Sequence, residues 1–239
     1  MWGTKIKDLP FKLVVQSEIE IWRAADFWTK EPETIAWVDS FAPGSMFWDI
    51  GANIGVFSLY ALTKKQKVMA FEPQADNMLR IVDSCMVNNF SIHNGYEFSI
   101  SNYAISDFDG KSTFYVPKCG PGRSGGQIGE ARHENGQEFT PAESYEVETY
   151  KIDTLAAKFC VPNYIKIDVD GIEWRILQGG IATLASVDVK SVLVEVNKDQ
   201  KEIEAFMSDL HFTSFNRFNG PDINRRANQK QKNIIYLRR

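Results

Sequence analysis

Met46-Phe47-Trp48-Asp49-Ile50-Gly51-Ala52-Asn53-Ile54-Gly55 decides how the rest of this chain reads. An apolar run ends in an acid, meets two glycines four residues apart, and enters the helical pattern Val56-Phe57-Ser58-Leu59-Tyr60-Ala61-Leu62. That order describes a buried strand, a tight turn and a helix N-terminus. It is the corner at which α/β sheets hold nucleotide-like ligands, because the free N–H groups of the first helical turn point at them.

A dinucleotide fingerprint would place a glycine in the middle of the turn, so that the backbone can approach a pyrophosphate. Asn53 stands there instead, and no G-x-x-x-x-G-K-[ST] run follows. The turn therefore suits an adenosine-bearing ligand without a pyrophosphate, and S-adenosylmethionine fits that description. About 20 residues further on, the second apolar strand Lys67-Val68-Met69-Ala70-Phe71 ends in Glu72. An acid at that spacing is placed to accept both ribose hydroxyls.

Further along, strands alternate with helices. A helix over about 75–89 carries Met78, Leu79, Val82 and Met86 at helical spacing. Phe98 to Ile105 reads as a third strand and Ser112 to Val116 as its hairpin partner. Residues 117–145 hold glycine, proline, serine and charge without periodicity, the mark of a lid or binding loop. Tyr164 to Val169 is a further strand, 172–184 a helix broken at Gly179-Gly180, and Val189 to Val196 a strongly apolar strand. The end reads as two strands, Phe212 to Phe215 and Asn233 to Leu237, with no helix between them. The expectation is an α/β chain with a doubly wound, mostly parallel sheet and an antiparallel C-terminal strand. One domain over 1–239 is expected, with a helical segment over 1–44, a core over 45–216, and a basic loop and last strand over 217–239.

Composition sets outer limits. At 239 residues with 44% hydrophobic and 24% charged side chains, the chain supports one sizeable core. Cys85, Cys119 and Cys160 are widely spaced and lack a C-x-x-C pair, which argues against a disulfide framework or zinc site and for a reducing, cytoplasmic setting. No run approaches the roughly 18 apolar residues of a membrane span. The net charge of −4 conceals a basic end, where seven lysines and arginines of 217–239 face only Asp222. Such a segment suits an anionic partner, or simply a solvated loop beside a sheet edge.

The third chemical element is Lys166-Ile167-Asp168-Val169-Asp170-Gly171-Ile172-Glu173. Asp168 ends a strand on the same rim as Asp49 and Glu72, in the ligand crevice. Asp170 and Glu173 follow in the turn and first helical positions, where the helix dipole alone also favours acids.

Taken together, Phe47–Gly55, Phe71-Glu72-Pro73, Asn102–Asp107 with Gly110, and Ile165–Glu173 with Gly179-Gly180 resemble the FkbM family of class I methyltransferases dependent on S-adenosylmethionine. The similarity runs over roughly residues 31 to 197. It implies a Rossmann-like, seven-stranded sheet and methyl transfer to hydroxyl oxygens of sugars or other polar small molecules. It further implies that Asp49, Gly51, Asn53 and Gly55 surround the methionine part, Glu72 the ribose, and Ala104, Ile105 and Ser106 the adenine. Asp168 then holds the cofactor's amino group. Family members commonly carry glutamate where this chain has Asp170, one methylene shorter.

An alcohol needs a base before it attacks, and the candidates are Asp168, Asp170, Glu173 and, from the long loop, His133. Glu195 and Asn197 end the next strand and are placed to line an acceptor site. No metal is expected, since nothing beyond the clustering of acids supports one. The expected acceptor is a small molecule or glycan, with an anionic one suited to the basic end. A nucleic-acid methyltransferase using residues 217–239 is the alternative enzyme, disfavoured because Asp168-Val169-Asp170-Gly171 is not the [DNS]-Pro-Pro-aromatic run of amino-methylating DNA enzymes. A non-catalytic cofactor-binding protein is the alternative outside enzymes.

Overall fold

The computed structural model describes residues 9–91, 97–133, 135–196, 199–215 and 232–239. The chain enters through three short helices, α1 (Glu18–Ala25), α2 (Phe27–Lys30) and α3 (Pro32–Asp39). Strand β1 (Met46–Ile50), helix α4 (Val56–Thr63), strand β2 (Lys67–Phe71), helix α5 (Ala75–Asn88) and strand β3 (Phe98–Ser101) follow. Next come the short strand β4 (Ala104–Ile105), β5 (Gly110–Val116), β6 (Gln127–Ile128) and β7 (Glu143–Tyr150). The second half runs α6 (Ile152–Lys158), β8 (Tyr164–Ile167), α7 (Glu173–Gln178), α8 (Ile181–Ala185), β9 (Ser191–Val196), α9 (Gln200–Asp209), β10 (Phe212–Phe215) and β11 (Lys232–Arg238).

Seven strands form one sheet in the order β10-β11-β9-β8-β1-β2-β3. All pairs from β9 to β3 are parallel, and β11 runs antiparallel between β9 and β10. The expected doubly wound sheet with an antiparallel C-terminal strand is what the chain forms. Its central strands are buried on both faces, as parallel sheets between helices require. Phe47, Ala70, Tyr164 and Leu193 pack with α3 and α4, whereas Trp48, Met69, Ile165 and Val192 pack with α6 to α9. The strand order reverses between β1 and β8, so the crevice at their carboxyl ends is the topological switch point where such sheets hold ligands.

A second sheet departs from the expectation. Phe98 to Ile105 is not one strand: the chain leaves the large sheet after Ser101, and Ala104–Ile105 pairs with Thr149–Tyr150 of β7 in a four-stranded sheet ordered β4-β7-β5-β6. Strand β5 pairs antiparallel with β7 rather than with β3. This sheet is small and one-sided, with Phe114, Val116 and Val147 inward and charged residues outward, so its strands carry too little apolar signal to be read alone. The unperiodic stretch 117–145 contains β6 and the first residues of β7.

The entry segment is fastened to the body by polar contacts. Glu20 is fully buried and pairs with Arg80 of α5 at 3.0 Å, and its other oxygen accepts from Gln16 N and Ser17 Oγ. Asn233 of β11 donates to Glu31, tying the last strand to the helices of the entry. Most of the basic segment after β10, residues 216–231, lies outside the described residues, as do Asn197 and His93. No helix among the described residues is long and apolar enough to cross a membrane.

Candidate functional site

A cavity of about 350 Å³ opens at the carboxyl ends of β1, β2, β8 and β9. Its floor is the turn after β1, where Gly51 adopts φ +80 and lies so close to β8 that a Cβ would overlap the carbonyl oxygen of Asp168. Only glycine fits there, and the close approach lets the ends of β1 and β8 share one crevice. Asn53 takes the left-handed conformation at φ 52, which asparagine tolerates better than most residues. Its backbone N–H donates to Glu72 Oε2 at 2.7 Å, while its side-chain amide donates to Arg123 O at 2.8 Å. The asparagine in the glycine turn is thus a fastener between the floor and the loop above it.

Glu72 is buried at the end of β2 and lines the cavity. It accepts from Asn53 N on Oε2, and from Gln74 N and, at 3.5 Å, Asn77 Nδ2 on Oε1, which leaves a lone pair free on Oε2. Burial pushes its pKa up to about 7, against the pull of those two backbone donors. Phe71, Ala104 and Ile105 provide the apolar part of the lining beside it.

Asp168 and Asp170 line the opposite side. Lys166, fully buried, places Nζ 2.6 Å from Asp168 Oδ2 and shares a sheet face with Asp49, its register partner on β1. Burial would raise the Asp168 carboxyl, but the Lys166 ammonium outweighs it and holds the pKa below the usual carboxylate range. Burial alone would lower Lys166, yet Asp168, Asp49 and Glu31 together raise it. Asp170 sits at φ 62, a conformation in which aspartate is better tolerated than the longer glutamate. Its Oδ2 accepts from Gly125 N at 2.7 Å, and its carbonyl accepts from Gln127 Nε2 at 2.9 Å. Asp170 is therefore a latch for the 117–128 loop, whose residues 123–128 roof the cavity.

Glu195, at the end of β9, completes the acidic wall. Its Oε2 is buried and has no hydrogen-bond partner among the described residues. Burial, reinforced by Asp168, Asp170 and Glu173, pushes its pKa up to about 9. An orphaned carboxyl oxygen of that kind is a strong pointer to a missing ligand group.

Several expected residues stand outside the cavity lining. Asp49 lies beneath the floor, where Ser58 Oγ donates to it at 2.6 Å and burial raises its pKa. Gly55 caps α4 and faces Ile81. Ser106 is fully buried and packs its carbonyl against Gly179, whose Cβ would overlap it. Glu173 turns back to accept from Val169 N and Gly171 N, which makes it the cap of its own turn, and burial moves its pKa to about 7. His133 belongs to a small bulge bridged by Arg132 and Glu138, where it packs on Phe139 away from the cavity. No group of three His, Cys, Asp or Glu among the described residues could hold a metal ion.

The structure also brings in residues the sequence reading passed over. Ile19, Trp22 and Arg23 of α1 line the cavity, together with Lys30 of α2. The signal was present: Ser17-Glu18-Ile19-Glu20 has the S-x-x-E form of a helix start, and positions 19, 22 and 23 then share one helical face.

Comparison with known proteins agrees with this geometry. The family described as "Methyltransferase FkbM domain" matches residues 49–216. Hexuronic acid methyltransferase AglP of Haloferax volcanii is 27% identical over 224 residues, covering 91% of this chain and 85% of that protein. Among solved structures, Trm5b of Pyrococcus abyssi superposes with a TM-score of 0.50 at 10% identity, over 98% of this chain and 55% of that one. Magnesium protoporphyrin IX methyltransferase of Synechocystis, solved with S-adenosylmethionine bound, gives 0.49 at 11% identity over 94% and 86%.

Proposed function

The chain belongs to the FkbM family of methyltransferases, with their class I fold and S-adenosylmethionine as methyl donor, and on that premise we propose that it methylates a hydroxyl oxygen of a sugar. The observation that carries this reading is Glu195, a cavity carboxyl with an oxygen unpartnered among the described residues and a raised pKa. The activity in the name of the AglP relative supports a sugar as acceptor.

The donor set of the cavity suits the cofactor. Phe71, Ala104 and Ile105 would take the purine, and Glu72, through the free lone pair of Oε2 and in exchange for the long Asn77 contact on Oε1, the ribose hydroxyls. Asp170, and Glu195 once ionised, give the wall a negative charge that favours a sulfonium and an amino group. Bound there, S-adenosylmethionine supplies a methyl group that is already activated, so the protein has no leaving group to generate.

The chain's own residues orient the acceptor, exclude water and take one proton. Asp168 is neutralised by Lys166, and Asp170 is engaged by the loop, so neither is the natural proton acceptor. Glu195 Oε2 accepts the hydroxyl proton as the new carbon–oxygen bond forms. An upshifted carboxyl is the stronger base once ionised, and positive charge entering the cavity promotes its ionisation. Arg23, donating to Gly122 O at 2.6 Å, and the roof strand 123–128 keep bulk water from the reacting atoms.

The test is incubation with labelled S-adenosylmethionine and a panel of glycans, monosaccharides and RNA, with products identified by mass spectrometry. A methyl ether on a sugar is the expected product. Label confined to RNA, or no label despite cofactor binding, overturns the reading.

A further inference from the structure

We propose that the cavity-facing side of α1, with Arg123 from the roof, is the acceptor subsite, and that it is built for a saccharide ring bearing a carboxylate. The proposal rests on the sugar reading above and narrows it. Trp22 lines the cavity yet is 49% exposed, and no ring contact holds its indole among the described residues. A large, rigid aromatic ring on a cavity wall offers a face that a ligand can cover. The indole face suits the C–H-rich face of a pyranose, one helical step from a charged neighbour.

That neighbour is Arg23. Its Nε donates to Gly122 O at 2.6 Å, which fixes the guanidinium at the rim and leaves the other nitrogens free of any ion pair among the described residues. Burial lowers its pKa, and the carboxylates of Asp168 and Asp170 work the other way. Arg123, which follows the Gly122 that holds Arg23, is exposed, lines the cavity and is fastened through its carbonyl by Asn53 and Asn77, with its side chain in no ion pair among the described residues. Two arginines and the acids Asp168 and Asp170 line the same cavity, which therefore carries both signs. The acids match a cation, and the arginines an anion.

The acids also set which anion. Asp170, beside the Lys166-paired Asp168, repels a doubly charged phosphate more than a singly charged group. A planar carboxylate matches the guanidinium fork and carries only one charge.

The experiment is calorimetry on the protein loaded with S-adenosylhomocysteine, so that no turnover occurs. The probes are a glucuronate-terminated disaccharide, its glucose-terminated counterpart and glucose 6-phosphate. The uronate is expected to bind at least about tenfold tighter than either alternative, as charge-assisted bonds to a guanidinium imply. Arg23→Gln and Arg123→Gln should each cost the uronate about tenfold and leave the neutral sugar unchanged. Trp22→Ala should weaken both sugars, and Trp22→Phe should restore them. Affinity for S-adenosylhomocysteine should not move in any variant. Arg123 is exposed, so its variant tests the idea even where Arg23→Gln disturbs the Gly122 contact. Equal binding of acidic and neutral sugars, or tighter binding of the phosphate, overturns the subsite while the sugar reading stands. Weakened S-adenosylhomocysteine binding in the arginine variants assigns the cations to the cofactor's own carboxylate and also overturns it. A wild-type protein that binds S-adenosylhomocysteine but none of the saccharides takes down the sugar reading and the subsite together.

Discussion

Lys166 Nζ lies 2.6 Å from Asp168 Oδ2, and the lysine is buried to within 2% of its surface. The pair joins two of the acids that define the site: Lys166 reaches Asp168 at the end of its own strand and faces Asp49 on the neighbouring one. A buried ammonium of this kind is the counter-ion that lets carboxylates gather at one sheet end.

Lys166→Met should therefore destabilise the fold by about 3 kcal/mol, because it leaves Asp168 and Asp49 without their cation. Urea denaturation measures this. The double variant Lys166→Met, Asp168→Asn should recover part of the loss, and an unchanged midpoint in the single variant would mean the pair is energetically idle.

Glu72 carries the turn after β1 through Asn53 N and the start of α5 through Gln74 N. Glu72→Ala should lower affinity for S-adenosylmethionine by about tenfold to a hundredfold, since hydrogen bonds to a charged group are among the stronger ones. Glu72→Gln, which keeps the shape and one acceptor, should fall between the two. Calorimetric titration decides, and an alanine variant with wild-type affinity would remove Glu72 from the ribose.

Glu195→Gln should reduce kcat by about a hundredfold to ten-thousandfold, the range of a lost general base, while cofactor affinity is retained. In the wild type, kcat/KM should climb with pH along a limb that ends near about 9, the value to which burial and neighbouring acids push the free carboxyl. That limb should vanish in the glutamine variant. A pH profile identical in both proteins would place the proton elsewhere.

Stability of the free protein should fall as pH rises. Glu72 and Glu173 are moved to about 7, and Glu195 to about 9, from an ordinary value of 4.5. Above 4.5 the unfolded chain has released protons that the folded chain still holds, so each step upward in pH favours unfolding until the folded value is passed. Asp168 acts oppositely: its stabilisation is present above the ordinary carboxylate range and is lost only when pH drops below it. Scanning calorimetry at pH 5, 7 and 8.5 should show a declining Tm, with cationic S-adenosylmethionine raising it most at the higher pH. A Tm that climbs steadily from pH 5 to 8.5 would show that these acids are ionised as usual.

The parallel sheet was readable from residues because its strands are buried on both faces and so appear as continuous apolar runs, as in Val189 to Val196. Glu72 and Asp168 were readable because an acid closing such a run has few other reasons to be there, and both line the cavity. Elsewhere the chemistry was hidden by geometry. Asp170 looks like a catalytic acid in sequence, but its oxygen is held by Gly125, 45 residues away. Glu173 reads as a rim carboxylate yet folds back onto its own turn. The second sheet escaped because β5 and β7 alternate charge with a few small apolar residues, a weak pattern without its partner strand. Trp22 and Arg23 escaped because their place in the cavity wall depends on α1 being fastened to α5 by the Glu20–Arg80 pair.

That placement has a consequence for how such enzymes diversify. The stretch common to the family begins at residue 49, whereas α1 ends at Ala25. The α1 part of the proposed acceptor subsite is therefore encoded ahead of the block that handles the donor, whereas Arg123 and Glu195 lie within it. An amino-terminal graft from a relative, spliced in before β1, becomes a route to retarget the enzyme without touching the machinery that loads the methyl group.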